Sequence, residues 1–207
     1  MHKTRIAVLV SGGGTNLQAL IDAERNGLLK SGEIVLVLSN KADAYALKRA
    51  ADAGIPTGVA EKKAFPDTPS FEAELLSQLE ESRVELIILA GFLCILSADF
   101  TESYPERIIN VHPSLIPSFC GKGYYGLKVH EAALARGVKL TGATVHFVND
   151  IPDGGRIIMQ KAVEVQDGDT PEALQQRVMR EAEWIILPMA VEKIAEEIAD
   201  KKSEEAK

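Results

Sequence analysis

The residues of this chain that could do chemistry concentrate in two stretches, of which the first places Asn110 and His112 at the end of an apolar run. Side chains alternate between the two faces of an extended chain, so this amide and this imidazole point the same way. Pro113 disfavours a helical backbone at His112 and keeps the segment extended. The second stretch is an alternating strand followed by the loop 150–155, which has two acidic residues and two glycines. A carboxylate of this loop beside His112 would complete a constellation suited to acyl transfer.

A glycine-rich segment, Ser11–Leu17, leaves the first predicted strand and enters the first predicted helix. Its glycines allow the backbone to approach a ligand closely, and the start of the helix offers free N–H groups to a phosphate. The segment lacks the Gly-Lys-Ser/Thr of a Walker loop, and Leu17 stands where a dinucleotide-binding loop needs its last glycine. Two interpretations stay open: a phosphate site, and a plain turn in which Asn16 caps the helix.

An apolar segment, Leu89–Ser97, follows a predicted buried strand, and Ser97 is expected to cap a short helix. A loop at the carboxyl end of a parallel strand lies in the crevice where open α/β sheets bind ligands, and apolar side chains there suit a flat heteroaromatic ring. Core packing is the alternative. Cys94 is not expected to act as a nucleophile, because the sequence places no base beside it.

The segment Pro117–Gly126 is rich in glycine and aromatic residues and has no periodicity, as in a flexible loop that covers a site. A surface connection without a role would have the same composition. Elsewhere, His2 and His130 are expected at the surface, whereas His146 is expected to be a hydrogen-bonded histidine in the core or behind the site. The cysteines and histidines have no spacing typical of a metal site, so we expect no metal.

The fold is expected to be α/β, with a mostly parallel twisted sheet flanked by helices, because apolar runs alternate with amphipathic stretches. One domain over residues 1–200 and a frayed, charged tail over 201–207 account for the chain. We predict strands at Arg5–Val10, Glu33–Ser39, Thr57–Ala60, Glu85–Ala90, Ile108–His112, Ala143–Asn149 and Ile157–Val165. We predict helices at Asn16–Arg25, Asp43–Ala53, Pro69–Glu81, Leu127–Ala135 and Pro171–Ala199, the last one capped by Thr170.

Composition excludes several classes of protein. Of the 207 residues, 46% are hydrophobic and 26% charged, which is typical of a globular domain. The net charge of −7 argues against a broad surface for nucleic acid or for an anionic membrane. The two cysteines cannot make a disulfide framework, and no segment resembles a signal peptide or a membrane span. A reducing cytoplasm is therefore the expected location.

Five motifs, in this order along the chain, resemble the folate-dependent formyltransferases of the glycinamide ribonucleotide formyltransferase family. They are Ser11–Gln18, Ser39–Ala44, Ala90–Ser97, Ile109–Pro117 and Gly142–Gly155. The resemblance extends from Ile6 to about Val191. It implies the formyltransferase fold, with a Rossmann-like N-terminal half.

The resemblance implies transfer of the formyl group of 10-formyltetrahydrofolate, the co-substrate, to the amine of glycinamide ribonucleotide, giving formylglycinamide ribonucleotide and tetrahydrofolate in de novo purine biosynthesis. It implies small-molecule substrates, with no metal, nucleic acid or membrane, and it leaves a homodimer open. The implied catalytic residues are Asn110, His112 and Asp153, which directly precedes the paired glycines. The implied phosphate-binding residues are Gly14, Thr15 and Asn16. The implied folate-binding residues are Thr68, Leu93, Cys94, Ile95, Leu96, Asn110, Val148 and Asp150.

The chain departs from the family pattern in three places. Many members have Arg where this chain has Cys94, and a basic residue is frequent where it has Thr68, so the resemblance does not assign the contacts to the charged folate tail or to the pocket edge. The family usually shows Glu-His near the substrate ribose. The run Glu181-Ala182-Glu183-Trp184 puts Ala182 at that glutamate position, which makes Glu183 the candidate for the ribose contact.

In the implied mechanism the amine attacks the formyl carbon, and Asn110 and a protonated His112 donate hydrogen bonds to the oxyanion. Asp153 is expected to raise the pKa of His112 and to order a water that relays protons to the leaving nitrogen. Methionyl-tRNA formyltransferase and formyltetrahydrofolate hydrolase are related alternatives, each with a further domain. A nucleotide-binding module without catalysis is the alternative from another class.

Overall fold

The computed structural model describes residues 2–205, which contain one sheet of seven strands in the order β3-β2-β1-β4-β5-β6-β7. Neighbours from β3 to β5 pair in parallel, whereas β6 is antiparallel to both β5 and β7. The predicted α/β class with a mostly parallel sheet is therefore confirmed. The strands are β1 Thr4–Val10, β2 Gly32–Ser39, β3 Thr57–Val59, β4 Leu86–Leu89, β5 Ile108–His112, β6 Leu140–Phe147 and β7 Ile157–Glu164.

Helices cover both faces of the sheet, so the central strands are apolar on both sides. Along β1, Ile6 and Val8 face one apolar cluster and Ala7 and Leu9 face the other, which explains why this strand has an unbroken apolar run. The helices are α1 Thr15–Arg25, α2 Tyr45–Asp52, α3 Thr68–Glu81, α4 Ala98–Glu102, α5 Leu127–Arg136, α6 Pro171–Val178 and α7 Trp184–Glu205. A 3₁₀ turn at Lys62–Ala64 was not predicted from the sequence.

The end of the chain differs from prediction in two ways. The single helix predicted over 171–199 is divided by a π-helical turn, Met179–Glu183, which directs Ala182 and Glu183 into the protein. The predicted frayed tail is helical as far as Glu205, because the Lys202 ammonium pairs with the buried carboxylate of Glu85. Residues 206–207 lie outside the described part of the chain. Among residues 2–205, no helix is both long and apolar enough to cross a bilayer.

Strand order decides where a ligand can bind. The strand order reverses between β1 and β4, because β1 connects on to β2 at one side and pairs with β4 at the other. Open α/β sheets bind ligands outside the carboxyl ends of their strands at such a reversal. The loops that follow β1, β4 and β5 therefore meet at one edge of the sheet, and these loops carry three of the five motifs.

Candidate functional site

Asn110 and His146 face each other across β5 and β6, where they form a directly opposed pair. His146 Nδ1 lies 2.7 Å from the Phe147 carbonyl oxygen, which can only accept, so this nitrogen carries the proton. In neutral His146 the other nitrogen, Nε2, is then an acceptor, and it lies 3.1 Å from Asn110 Nδ2. This bond turns the amide nitrogen of Asn110 toward His146, and its second N–H has no protein partner among residues 2–205. The sequence-based expectation of a hydrogen-bonded core histidine at position 146 is confirmed.

His112 is fixed by contacts at both ring nitrogens. Its Nε2 lies 2.9 Å from the Phe119 carbonyl oxygen, so Nε2 carries a proton. Its Nδ1 lies 3.5 Å from Asp153 Oδ2. A neutral imidazole in this position turns the lone pair of Nδ1 toward a carboxylate, whereas an imidazolium turns an N–H toward it. The geometry therefore favours a proton on Nδ1 whenever one is available.

Burial of the imidazole opposes its protonation, and this effect is larger than that of Asp153. Burial lowers the pKa of His112 below its ordinary value of 6.5, although Asp153 and the Phe119 carbonyl act in the opposite direction. Asp153 acts on the pKa of His112 in the expected direction, but the net pKa in the ligand-free protein is lowered because burial has the larger effect. Asp153 stabilises the imidazolium, but removing the imidazole from water costs more.

Asp153 reaches His112 because of the backbone that surrounds it. Asp153 itself has φ of +57°, and a Cβ on Gly155 would lie 1.8 Å from the Phe147 carbonyl oxygen, so only glycine lets the loop return this closely to β6. Burial alone would raise the pKa of Asp153, but His146, the Gly121 N–H and His112 together hold it below its usual range. The Gly121 N–H donates to Asp153 Oδ2 at 2.7 Å. Asp153 is thus a carboxylate at neutral pH.

These groups lie in the wall of a cavity of about 580 Å³. One side is the apolar loop after β4, and the opposite side is formed by the glycine-rich loop 117–126 and the loop after β6. Ser97 accepts from the Phe100 N–H and caps α4, as the sequence predicts. Lining residues with predicted site roles are Leu93, Cys94, Ile95, Leu96, Asn110, His112, Val148 and Asp153. Thr68 and Asp150, which were predicted with them, do not line the cavity.

The glycine loop after β1 adjoins α2 and the π-helical turn. The Gly14 N-cap has φ of +71°, and a Cβ there would lie 2.6 Å from Ala46 Cβ, so this glycine is required for α1 to pack on α2. Asn16 does not cap the helix. Its Nδ2 donates to Glu183 Oε2 at 2.7 Å, while burial raises the pKa of that carboxyl. The residues predicted for phosphate and for ribose are thereby in contact.

Comparison with known proteins assigns the chain to a family. The sequence model of the formyl transferase family matches residues 4–191. This chain belongs to the formyl transferase family. The solved glycinamide ribonucleotide transformylase 1 of Symbiobacterium toebii is 42% identical to it, with a TM-score of 0.88 over 94% of this chain and 89% of that one.

Other relatives of this formyl transferase are longer. It is 46% identical over 94% of its length to the trifunctional purine biosynthetic protein adenosine-3 of Gallus gallus, and it spans only 19% of that protein. It is 40% identical over 87% of its length to the chloroplastic phosphoribosylglycinamide formyltransferase of Arabidopsis thaliana, and it spans 62% of that protein.

Three features of the formyl transferase site were missed or misjudged from the sequence. His130 is fully buried and not at the surface, because it shares the inward side of α5 with Val129 and Ala133. Burial and His112 lower its pKa to about 4, and neither ring nitrogen has a hydrogen-bond partner among residues 2–205. The other two features are backbone groups, the Phe119 carbonyl and the Gly121 N–H, for which residue type gives no signal. His2, as expected, is exposed.

Gly13 offers a cleaner test of phosphate binding than Gly14. A Cβ at Gly13 meets no atom within 4 Å, so Gly13→Ala leaves the fold intact while it narrows the approach to the start of α1. We expect the Kd of the ribonucleotide to rise at least tenfold and that of the folate to stay within twofold, measured by calorimetry. Lys30→Ala, which truncates an exposed side chain in a distant loop, is the control. Equal loss for both ligands would contradict a phosphate site here.

The loop 117–126 has the backbone of a hinge, since Gly121, Gly123 and Gly126 all have positive φ. We expect trypsin to cut after the exposed Lys122 in the free protein and to cut several-fold more slowly when both ligands are bound. Cleavage after Lys30, which lies in a distant loop, is the internal control. A ligand-independent rate at Lys122 would exclude closure of this loop over the site.

Proposed function

We propose that this formyl transferase moves the formyl group of 10-formyltetrahydrofolate to the amine of glycinamide ribonucleotide, as a step of de novo purine biosynthesis. The observation that carries the proposal is the meeting of Asn110, His112 and Asp153 in the wall of one cavity. Relatives and solved structures named for this activity support it, because they match most of this chain at 40–42% identity. A bare nucleotide-binding module would have no need of this arrangement.

The cavity fits the folate by shape and by chemistry. Its volume is that of a site for a drug-sized molecule, and the loop after β4 gives it an apolar wall. Leu93 and Ile95 are 58% and 63% exposed, so large apolar surface is available to a ring. We assign this wall to the flat ring system of the folate, which supplies the formyl group. Neither Thr68 nor Cys94 offers a positive charge for the folate tail, and Cys94 Sγ instead lies 3.0 Å from Asn40 Nδ2.

Asn110 and His112 are the hydrogen-bond donors for the reacting oxygen. As the amine nitrogen bonds to the formyl carbon, negative charge develops on the formyl oxygen. Asn110 lines the cavity, and the Nδ2 N–H that does not bond to His146 is the donor assigned to that oxygen. His112, once protonated on Nδ1, can share that N–H between Asp153, whose Oδ2 lies 3.5 Å away, and the oxyanion, and it adds a positive charge.

Asp153 handles the proton. After the amine nitrogen has bonded to the formyl carbon, the bond between that carbon and N10 breaks. One proton passes from the attacking amine to N10. Asp153 is ionised and lies beside His112, so it can accept that proton directly or through a water and return it. The carboxylate also stabilises the imidazolium of His112 during the step.

The ribonucleotide is assigned to the loop after β1. The first turn of α1 leaves backbone N–H groups free for the phosphate, with Gly14, Thr15 and Asn16 around them. Arg49 lies against the same loop and donates from Nε to the Gly13 carbonyl at 2.8 Å, which adds positive charge. The Asn16–Glu183 pair is the candidate contact to the ribose, since Asn16 Oδ1 is buried and has no partner among residues 2–205.

A formyl-transfer assay tests the proposal. Purified protein with glycinamide ribonucleotide and 10-formyltetrahydrofolate should release tetrahydrofolate in a one-to-one ratio with formylglycinamide ribonucleotide. Release of formate without the ribonucleotide product would favour a hydrolase, and formylation of methionyl-tRNA would favour the other relative. Binding of both ligands with no turnover would favour a module without catalysis.

Location and assembly belong to the same proposal. Cys94 and Cys120 are both free thiols, in keeping with a reducing compartment such as the cytoplasm. The oligomeric state, with a homodimer as one candidate, is measured by sedimentation at the concentrations of the assay.

A further inference from the structure

A buried serine lies beneath the carbonyl group that holds His112. Ser114 follows β5, is fully buried and donates from Oγ to the Ser118 carbonyl at 2.6 Å. The same hydroxyl oxygen lies 3.4 Å from the Phe119 carbonyl oxygen, which accepts from His112 Nε2. Because the one hydroxyl hydrogen goes to the Ser118 carbonyl, Ser114 fixes the peptide group that precedes Phe119 and contacts the Phe119 carbonyl oxygen.

The backbone around Ser114 is held from the neighbouring strands. Thr144 of β6 donates from Oγ1 to the Ser114 carbonyl at 2.7 Å and accepts from the Ile116 N–H at 3.1 Å. Gln160 of β7 donates from Nε2 to Thr144 Oγ1 at 2.9 Å and to the Ile116 carbonyl at 3.0 Å. A hydroxyl can donate once and accept twice, so the three bonds of Thr144 Oγ1 can form at the same time.

The network supports a conformation that the backbone would not keep unaided. Phe119 has φ of +50°, which is uncommon for a bulky residue and persists only where its surroundings hold it. Its ring packs on the core and lies 6.4 Å from the ring of Tyr124, measured between centroids. Ser114 fixes the Ser118–Phe119 peptide, because its hydroxyl donates to the Ser118 carbonyl.

We propose that Ser114 is a positioning residue for the reaction: it holds the Phe119 carbonyl in place, and that carbonyl sets the orientation and tautomer of His112. Gln160 supports the same segment from the edge strand. The inference rests on the proposed function for its effect on turnover, but its effect on His112 does not require any activity.

The tautomer is the step through which Ser114 acts. Asp153, His146 and His130 are the titratable groups that influence His112 or lie beside it. With the Phe119 carbonyl in place, the proton of the neutral ring stays on Nε2. Without it, the ring gains by placing that proton on Nδ1 toward Asp153, and it is then free to turn with Nε2 as an acceptor. The ring, and with it the direction of Nδ1–H in the imidazolium, is then no longer held in one orientation.

Two variants and two matched controls test this. Ser114→Ala removes the hydroxyl, and Gln160→Ala removes the outer support from an exposed position. Ser118→Ala keeps the carbonyl that Ser114 contacts, and Lys161→Ala changes the neighbouring exposed residue of β7. For each variant we would measure kcat, both KM values, and the ¹⁵N shifts and pKa of the His112 ring by NMR in the ligand-free protein.

We expect Ser114→Ala to lower kcat about tenfold, the size of one ordinary hydrogen bond, with both KM values within twofold. We expect the ¹⁵N shifts to move toward a mixture of tautomers and the pKa of His112 to fall, because the carbonyl bond raises it. Gln160→Ala should change kcat and the NMR properties of His112 in the same direction by a smaller factor. The two control variants should change neither kcat nor these NMR properties. If Ser114→Ala does not fold, Gln160→Ala decides the question.

His112 spectra identical to those of the parent protein in both variants would overturn the proposal, as would an equal loss in Ser118→Ala. An inactive parent protein would refute the proposed function instead, and the NMR result would still decide whether Ser114 sets the tautomer of His112.

Discussion

Asp153→Asn is expected to lower kcat on the order of 10⁴-fold, the loss known for other carboxylates that orient a catalytic imidazole. The variant keeps an oxygen that can accept from the Gly121 N–H, so the loop and both substrate affinities should change little. It removes the negative charge that stabilises the imidazolium of His112 and the carboxylate that we propose as the base for the amine. Steady-state kinetics with both substrates measures the loss.

The pKa of His112 gives the direct measurement of the coupling. In the parent protein NMR titration should place it below 6.5, because burial outweighs Asp153. In Asp153→Asn the pKa of His112 should fall further, because the charge that raises it is gone. Burial and His146 still lower this pKa, and only the Phe119 carbonyl still raises it. The fraction of protonated His112 is lost as pH rises through this pKa, so the limb on which the rate falls with rising pH should move to lower pH in the variant.

His112→Ala completes the cycle. We expect a loss similar to that of Asp153→Asn, and a double variant only slightly worse than either single one, because groups that act as a unit are strongly non-additive. An unmoved His112 pKa, or losses in kcat that multiply, would show that the two residues act independently.

Patterns of local geometry were readable from the sequence because they depend on neighbouring residues alone. The alternation along β5 put Asn110 and His112 on one face, and the structure opposes them to His146 and Thr144 of β6. Thr170 and Pro171 likewise begin α6 as predicted, with Thr170 Oγ1 accepting from the Ala173 N–H.

The remaining features depend on distances between segments far apart in the chain. The direction of the His112 pKa shift is a balance between burial and one charge, and residue type does not give the degree of burial. Asp153 reaches the imidazole only through a left-handed residue and a glycine that nearly touches β6. His130 was misjudged because the inward side of α5 is set by packing, and a lone histidine gives no periodic signal.

Asn110→Ala carries the second large effect. His146 holds one N–H of the amide, and we propose the other as the donor to the developing oxyanion, so the alanine variant should remove that hydrogen bond. Loss of one such donor typically costs about 10²–10³-fold in kcat, and we expect that range with KM for either substrate nearly unchanged. Pre-steady-state measurement of the chemical step would separate this loss from any change in product release.

Asn110→Asp is the matched control for size, because the carboxylate has the shape of the amide but no hydrogen to donate at neutral pH. We expect it to lose at least as much activity as Asn110→Ala, since a negative charge beside a developing negative charge raises the barrier further. Activity near that of the parent protein in Asn110→Asp would mean that Nδ2 does not donate to the reacting oxygen. His112 would then be the sole side-chain donor, and the bond between Asn110 and His146 would serve only to join β5 to β6.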